Sequence, residues 1–285
     1  MGGCYQIGAV LGRGGFGITY RAFDLSIQRI VAIKEFYPKE LVFRSSLYGK
    51  TDDDSSNSNE VLILTESNQY IYQKNLDHFY REAVALAKLD KQPNVVHVHN
   101  IFRENGTAYI VMEFVEGQSL RSILGERGAI PEDELLKMLD PMLNALEKVH
   151  EAGILHRDIA PDNIMINNGE PTLVDFGAAR IDDNGQSSFK IGKAGYSSPE
   201  QMAGGKLDQR SDIYSLGATY YKALTGKSPQ DSSQRMLNDQ VLPLNKLVPD
   251  ISERVSRAVM KAMALKPDDR FSSVSEFQKA LSPKP

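Results

Sequence analysis

Three oxygen-bearing side chains follow one another in the middle of the chain in an order that suits a divalent cation. Asp158 and Asn163 are close together on an irregular stretch, and Asp175 comes just after the apolar run Thr172-Leu173-Val174. Hard oxygen donors of this kind suit Mg2+, which takes few protein oxygens and completes its shell with phosphate and water. Far upstream, Gly12-Arg13-Gly14-Gly15-Phe16-Gly17 reads G-x-G-x-x-G. A dinucleotide-binding fold needs a helix after such a loop, with an acidic residue further on. Here the strand-like Ile18-Thr19-Tyr20-Arg21-Ala22 follows instead. A glycine loop between two strands lays backbone N–H groups over phosphates with no side chains in the way. Val31-Ala32-Ile33-Lys34 then ends an apolar strand on a cation, which alone would read as a snorkelling lysine. Gly226-Lys227-Ser228 is a decoy, because a phosphate-binding loop requires Gly where Tyr221 stands.

The elements that must position these groups change character along the chain. Gln6 to Leu11, Gly17 to Ala22, Arg29 to Glu35, Val95 to Arg103 and Thr107 to Phe114 are short apolar runs bounded by Gly, Asn or Pro, and read as strands. Glu104-Asn105-Gly106 marks a hairpin between the last two. From Asn75 to Leu89 the period becomes helical, with Phe79, Ala83 and Leu86 on one stripe and Glu82 beside it. After Gly117 helices dominate: Pro131 to Glu151, Arg210 to Leu224, Val255 to Ala264 and Val274 to Leu281. Thr51 to Asn59 is a polar low-complexity loop, and no internal repeat is visible.

His156-Arg157-Asp158 with Asn163, and Asp175-Phe176-Gly177, complete a series with the Gly loop and Val31-Ala32-Ile33-Lys34. In this order the motifs resemble the catalytic domain of eukaryotic-like, bacterial-type Ser/Thr protein kinases. Later landmarks agree: Ser198-Pro199-Glu200, Asp212-Ile-Tyr-Ser-Leu-Gly217, and Arg270. The resemblance covers about residues 5 to 282 and implies an α+β, bilobal fold. A small antiparallel-sheet N-lobe with one key helix would span 1–112, with an insertion at about 38–74. A hinge at 113–117 would lead to a mainly helical C-lobe at 118–282. It implies transfer of the γ-phosphate of ATP, with Mg2+, to Ser/Thr hydroxyls of protein substrates, and autophosphorylation. By the same resemblance, Lys34 holds the α- and β-phosphates and Glu82 is its counter-charge. Asn163 and Asp175 hold Mg2+, and Asp158 accepts the substrate proton. Gly12, Gly14 and Gly17 close over the phosphates. Leu11 and Ala32 cover the adenine, Met165 lies beneath it, Met112 is the gatekeeper, and the Glu113 carbonyl and Val115 backbone meet the base edge. Leu86, Val98, Phe176 and His156 form an apolar stack anchored on Asp212. Glu200 and Arg270 resemble the family's buried ion pair.

The sequence also departs from that pattern. Ala160 stands where most Ser/Thr kinases carry a Lys, and Lys193 where they usually have a Thr. The complementary pair suggests a swap in which Lys193 supplies the missing cation, against the plainer reading of a solvated loop lysine. Ala160 also leaves a Tyr or dual-specificity kinase open, and is the one feature favouring a pseudokinase that binds nucleotide or partners without turnover. Lys34 and Glu82 are unusually far apart. Glu35-Phe36-Tyr37-Pro38 in that gap resembles a signature of many bacterial kinases, and Glu60 to Leu64 reads as an extra strand. The insertion is either a surface decoration or a docking site for a regulator. Arg157 beside Asp158, with Ser187 and Ser188 downstream, suggests control by loop phosphorylation.

Composition restricts the alternatives. The 285 residues are 41% hydrophobic and 25% charged, an ordinary globular balance. A formal charge of −4 argues against nucleic-acid partners or an anionic membrane surface. The single cysteine, Cys4, excludes internal disulfides and multi-cysteine zinc sites. With no long apolar run and no signal-like start, the sequence leads us to expect a cytoplasmic domain without membrane contact. Met1-Gly2-Gly3-Cys4 lacks the Ser or Thr of an acylation signal at Gln6, and the Pro-rich end reads like the start of a linker.

Overall fold

The computed structural model describes residues 3–15, 17–44, 59–89, 92–176 and 192–283. Backbone contacts divide them into two units. One takes the described residues of Met1–Asp90 together with His97–Phe114; the other takes the described residues of Lys91–Val96 and those from Val115 onward.

The first unit is built on an antiparallel sheet of β1 (Tyr5–Arg13), β2 (Gly17–Asp24), β3 (Arg29–Phe36), β6 (Val98–Glu104) and β7 (Thr107–Glu113), in the order β1-β2-β3-β7-β6. Gly17 is a glycine for a steric reason. A Cβ there would lie 2.5 Å from the carbonyl oxygen of Glu35, so a side chain would push β2 off β3. Asn105 and Gly106, both at positive φ, form the two-residue turn between β6 and β7 that the sequence predicts. Ala22, Val31, Ile33, Tyr109 and Val111 make a buried cluster on this sheet, with Tyr5 and Phe102 packed against it.

Helix α1 (Gln69–Ala87) buries Tyr72, Leu76, Phe79, Ala83 and Leu86, a single stripe at helical spacing. It begins at Gln69 rather than Asn75. Tyr70-Ile71-Tyr72 has strand propensity, but tertiary contacts override it. The Tyr72 ring packs 5.5 Å from Phe36, and its hydroxyl donates to the Gly106 carbonyl at 2.8 Å.

The described ends of the insertion are part of this unit's core. β5 (Val61–Ile63), the expected extra strand, pairs antiparallel with β4 (Val42–Arg44), which the sequence reading missed. Leu41, Val42 and Val61 are buried. Glu35 ties the hairpin down. Its fully buried carboxylate accepts from the Tyr20 hydroxyl at 2.8 Å, the Tyr109 hydroxyl at 3.0 Å and the Arg44 guanidinium at 2.7 Å. Burial and the adjacent carboxylate push both tyrosine hydroxyls well above their ordinary pKa. Arg44 also lies over the Tyr37 ring at 5.2 Å. Glu35→Gln removes the counter-charge of Arg44 and is expected to lower stability by about 2 kcal/mol. Urea unfolding measures it; an unchanged midpoint would show that Arg44 is equally well placed in water.

The second unit carries a three-stranded sheet of β8 (Gln118–Ser119), β9 (Ile164–Asn167) and β10 (Glu170–Leu173), in the order β10-β9-β8. Around it lie α2 (Leu120–Arg127), α3 (Glu132–Glu151), α4 (Pro199–Met202), α5 (Gln209–Thr225), α6 (Ser232–Arg235), α7 (Leu244–Leu247), α8 (Glu253–Ala262) and α9 (Val274–Leu281). Helix α5 is buried almost all round, which is why its sequence lacks a clean polar stripe. Asp208 caps its start by accepting from the Arg210 N–H, and Gly226, in the left-handed region, ends it. The Gly-Lys-Ser triplet is therefore a helix terminus. Val95 and Val96, read from sequence as the start of a strand, belong to this unit instead. The Val96 N–H donates to the Leu173 carbonyl at 3.0 Å, and the Asn94 side chain donates to the Pro171 carbonyl at 2.8 Å. Among the described residues no helix is long and apolar enough to cross a membrane.

Candidate active site

In the first unit the candidate residues lie on neighbouring strands. Thr19 of β2 faces Lys34 of β3, which faces Ile110 of β7, while Ala32 faces Met112. Lys34, Ala32 and Met112 are buried, whereas Leu11 is 47% exposed. Gly12 and Gly14 have open space where a Cβ would stand, and the Gly14 N–H closes the turn onto the Gly17 carbonyl at 2.9 Å. The Glu113 N–H donates to the His97 carbonyl at 2.8 Å, so only its carbonyl side remains for a ligand edge. Glu82 is half-buried on α1, between Phe79 and Leu86 of the apolar stripe. Leu86 and Val98 are buried in this unit.

The second unit holds Val115, Asp158, Asn163, Met165, Asp175 and Lys193. The loop that carries His156, Arg157 and Asp158 is organised by Asp212 on α5. The Asp212 carboxylate is buried and accepts from the backbone N–H of His156 and of Arg157, each at 2.8 Å. His150 Nε2, at the end of α3, donates to it at 2.8 Å as well. Burial alone would raise the Asp212 pKa, but the His150 hydrogen bond and the backbone donors outweigh it and hold the carboxyl below its ordinary value. Those bonds matter because Arg157 sits at φ 66°, a left-handed conformation costly for a side-chain-bearing residue. Asp175 is in the same region at φ 62°.

His156 is fully buried and held neutral, chiefly by that burial. Its Nδ1 accepts from the Asp158 N–H at 3.2 Å, so Nε2 carries the proton and donates to the Val174 carbonyl at 2.9 Å. The ring lies 4.4 Å from Phe176, so the two expected stack residues of this unit meet. The Asn163 side-chain nitrogen donates to both the carbonyl and Oδ2 of Asp158, at 2.7 and 2.8 Å. Those bonds orient the amide and leave its oxygen as the donor for a cation. Burial raises the Asp158 pKa, and the charge of Lys193 is the chief influence pulling it back. Lys193 Nζ pairs with Asp162. Ala160 is completely buried, so no long side chain fits there without displacing its surroundings.

The expected ion pair is present: Arg270 grips Glu200 through two bonds of 2.7 and 2.8 Å, and Ser211 Oγ donates to the same carboxylate at 2.7 Å. Sequence reasoning passed over Asp162, Arg121 and the Glu35 network, whose partners are distant along the chain. His150 continues the buried stripe of Leu143 and Leu146 on α3, and a histidine at such a position could have been read as needing a buried partner. Gly177, Ser187 and Ser188 lie outside the described residues.

Strand order, helical unit and catalytic loop together define a protein kinase fold, and comparison with known proteins agrees. A family profile described as "Protein kinase domain" matches residues 54–282. The chain is 35% identical to a probable serine/threonine-protein kinase PknB of Bifidobacterium longum, over 97% of this chain and 39% of that protein. It is 33% identical to serine/threonine-protein kinase PknB of Mycolicibacterium smegmatis, over 97% of this chain and 42% of that one. A solved structure titled "PpkA-294 apo form" superposes with a TM-score of 0.78 at 32% identity, covering 98% of this chain and 96% of the other. The chain belongs to the protein kinase family, as a catalytic domain of the bacterial Ser/Thr type. It spans less than half the length of these curated relatives.

Proposed function

We propose that this domain transfers the γ-phosphoryl group of Mg2+-ATP to Ser or Thr hydroxyls of protein substrates, itself included. The observation that carries the reading is the loop in which Asn163 grips Asp158 while Asp212 holds the strained backbone before it.

Asp158 accepts the hydroxyl proton of the acceptor through its carboxylate. The acceptor oxygen forms a bond to the γ-phosphorus, the bond from that phosphorus to the β,γ-bridging oxygen breaks, and ADP departs with the electron pair. Lys34, with Glu82 as counter-charge, holds the α- and β-phosphates. The open positions at Gly12 and Gly14 leave backbone free to approach phosphate oxygens. Ala32, Leu11, Met112, Met165, the Glu113 carbonyl and the Val115 backbone receive the adenine. The oxygens of Asn163 and Asp175 form a donor set of the hard, sparse kind that Mg2+ prefers. When bound there, the cation neutralises charge on the β- and γ-phosphates. Lys193 provides the further positive charge that Ala160 cannot.

Intact-mass spectrometry of the chain after incubation with Mg2+-ATP tests the reading. Phosphate-sized mass gains on Ser or Thr, absent with Mg2+-ADP, are expected. Gains confined to Tyr would overturn the residue class. No transfer to the chain or to dephosphorylated casein would leave a binding module as the better account.

A further inference from the structure

One carboxylate beside the catalytic loop has no part in the roles above. Asp162 precedes Asn163 in the short helical turn Pro161–Asn163, and both of its oxygens meet cations of this chain. Oδ1 takes the Nε of Arg121, in the first turn of α2, at 2.6 Å; Oδ2 takes the Nζ of Lys193. The backbone of Lys193 is fixed separately. Its N–H donates to Ser197 Oγ at 2.8 Å, and its carbonyl accepts from the Tyr196 and Ser197 N–H groups at 2.9 and 3.1 Å. What those bonds leave free is the long aliphatic stem, which carries substantial rotamer entropy.

We propose that Asp162 is a positioning residue that holds the Lys193 ammonium beside Asp158, with Arg121 fixing the carboxylate that does so. This rests on the reading that Lys193 supplies a cation to phosphoryl transfer. The two halves of the turn then have complementary tasks. Asn163 fixes the base by gripping both the carbonyl and the carboxylate of Asp158, while Asp162 fixes the cation. The geometry that ties the two is the turn itself: the carboxylate that pairs with the Lys193 ammonium belongs to the residue next to Asn163, which grips Asp158. The size of the effect follows from exposure. The side chains of Lys193 and Asp162 are 31% and 30% exposed, and a pair partly screened by water contributes modestly to folding. It does bias where a flexible side chain spends its time. A partial loss of rate with the fold intact is the signature of that role, whereas a structural role would move stability.

The test compares Asp162→Asn, Asp162→Glu, Lys193→Ala and the double variant Asp162→Asn/Lys193→Ala. The readouts are the maximal rate of phosphate incorporation into the chain and into dephosphorylated casein, the ATP concentration giving half that rate, and the urea midpoint. Asp162→Asn is expected to lower the maximal rate about 3–10-fold with the ATP requirement unchanged. Asp162→Glu is expected to stay within about twofold of the parent, since a carboxylate is retained. In the Lys193→Ala background, Asp162→Asn is expected to cost nothing more. An equal loss with and without Lys193, a change confined to the ATP requirement, or an undiminished rate in Asp162→Asn each overturns the positioning role. Full activity of Lys193→Ala overturns the underlying reading instead, so the two failures are distinguishable. Should Asp162→Asn shift the urea midpoint, Arg121→Ala, at a side chain 64% exposed, takes its place. It is then expected to slow transfer about 2–3-fold, and an unchanged rate overturns the proposal.

Discussion

Asn in place of Asp158 is expected to lower the maximal phosphotransfer rate by about 10²–10⁴-fold, the usual worth of a positioned general base. The substitution separates chemistry from folding because of the local hydrogen bonds. Asn163 donates to the Asp158 side-chain oxygen and to its carbonyl, and an amide oxygen accepts the first bond as a carboxylate does. The loop therefore keeps its shape while the carboxylate proposed to take the proton is gone. Burial makes the native carboxylate a stronger base than an exposed one, with Lys193 limiting the rise. Single-turnover transfer at saturating Mg2+-ATP, alongside nucleotide binding by calorimetry, measures both halves. Retention of more than about a tenth of the parent rate would remove Asp158 from the role of base. Loss of ATP binding would mean that the substitution had disturbed the loop.

Asp212→Ala is expected to cost at least about 4 kcal/mol of stability and to abolish transfer. Three donors converge on this one buried carboxylate: His156 N–H, Arg157 N–H and His150 Nε2. Truncation leaves all three unpaired in the interior, and Arg157 loses what holds it in a left-handed conformation. Asp212→Asn keeps an acceptor oxygen and is expected to cost roughly half as much. Urea unfolding of both variants checks the order; equal costs would show that charge, rather than the loss of acceptors, dominates. The pH dependence has a definite sign. The Asp212 carboxyl titrates below its ordinary value in the folded state, so its contribution is complete above about pH 4, the ordinary carboxylate range. It is lost as pH falls through the depressed folded value.

The same convergence explains why some of the site was legible in sequence and some was not. Gly12, Gly14, Gly17, Lys34, Asp158, Asn163 and Asp175 stand out because their chemistry demands particular residue types at short spacing. The strands β2, β3 and β7 and the helices α3, α5, α8 and α9 are readable from period and caps, since each buries one face or is wholly interior, while β1, exposed along nearly its whole length, is readable only as a Gly-bounded apolar run. The helical period is legible only from Asn75, whereas α1 starts at Gln69, where the Tyr72 side chain meets the Phe36 ring and the Gly106 carbonyl in the folded unit. Val95 and Val96 looked like strand and instead bond to Leu173 and its surroundings.

By itself, then, the sequence determined the family, the order of the motifs and the residue types available for phosphate, metal and proton. Local constraints act within a few residues, through backbone conformation and hydrophobic period, and these are written in the order of the amino acids. Beyond the Glu200–Arg270 pair that the resemblance implies, only the tertiary structure decided which charges meet. Glu35 receives Arg44, Tyr20 and Tyr109, Asp212 gathers two backbone donors and His150, and Asp162 joins Arg121 to Lys193. A buried or half-buried carboxylate takes whichever donors the packing of distant elements brings within reach, and no spacing along the chain specifies that.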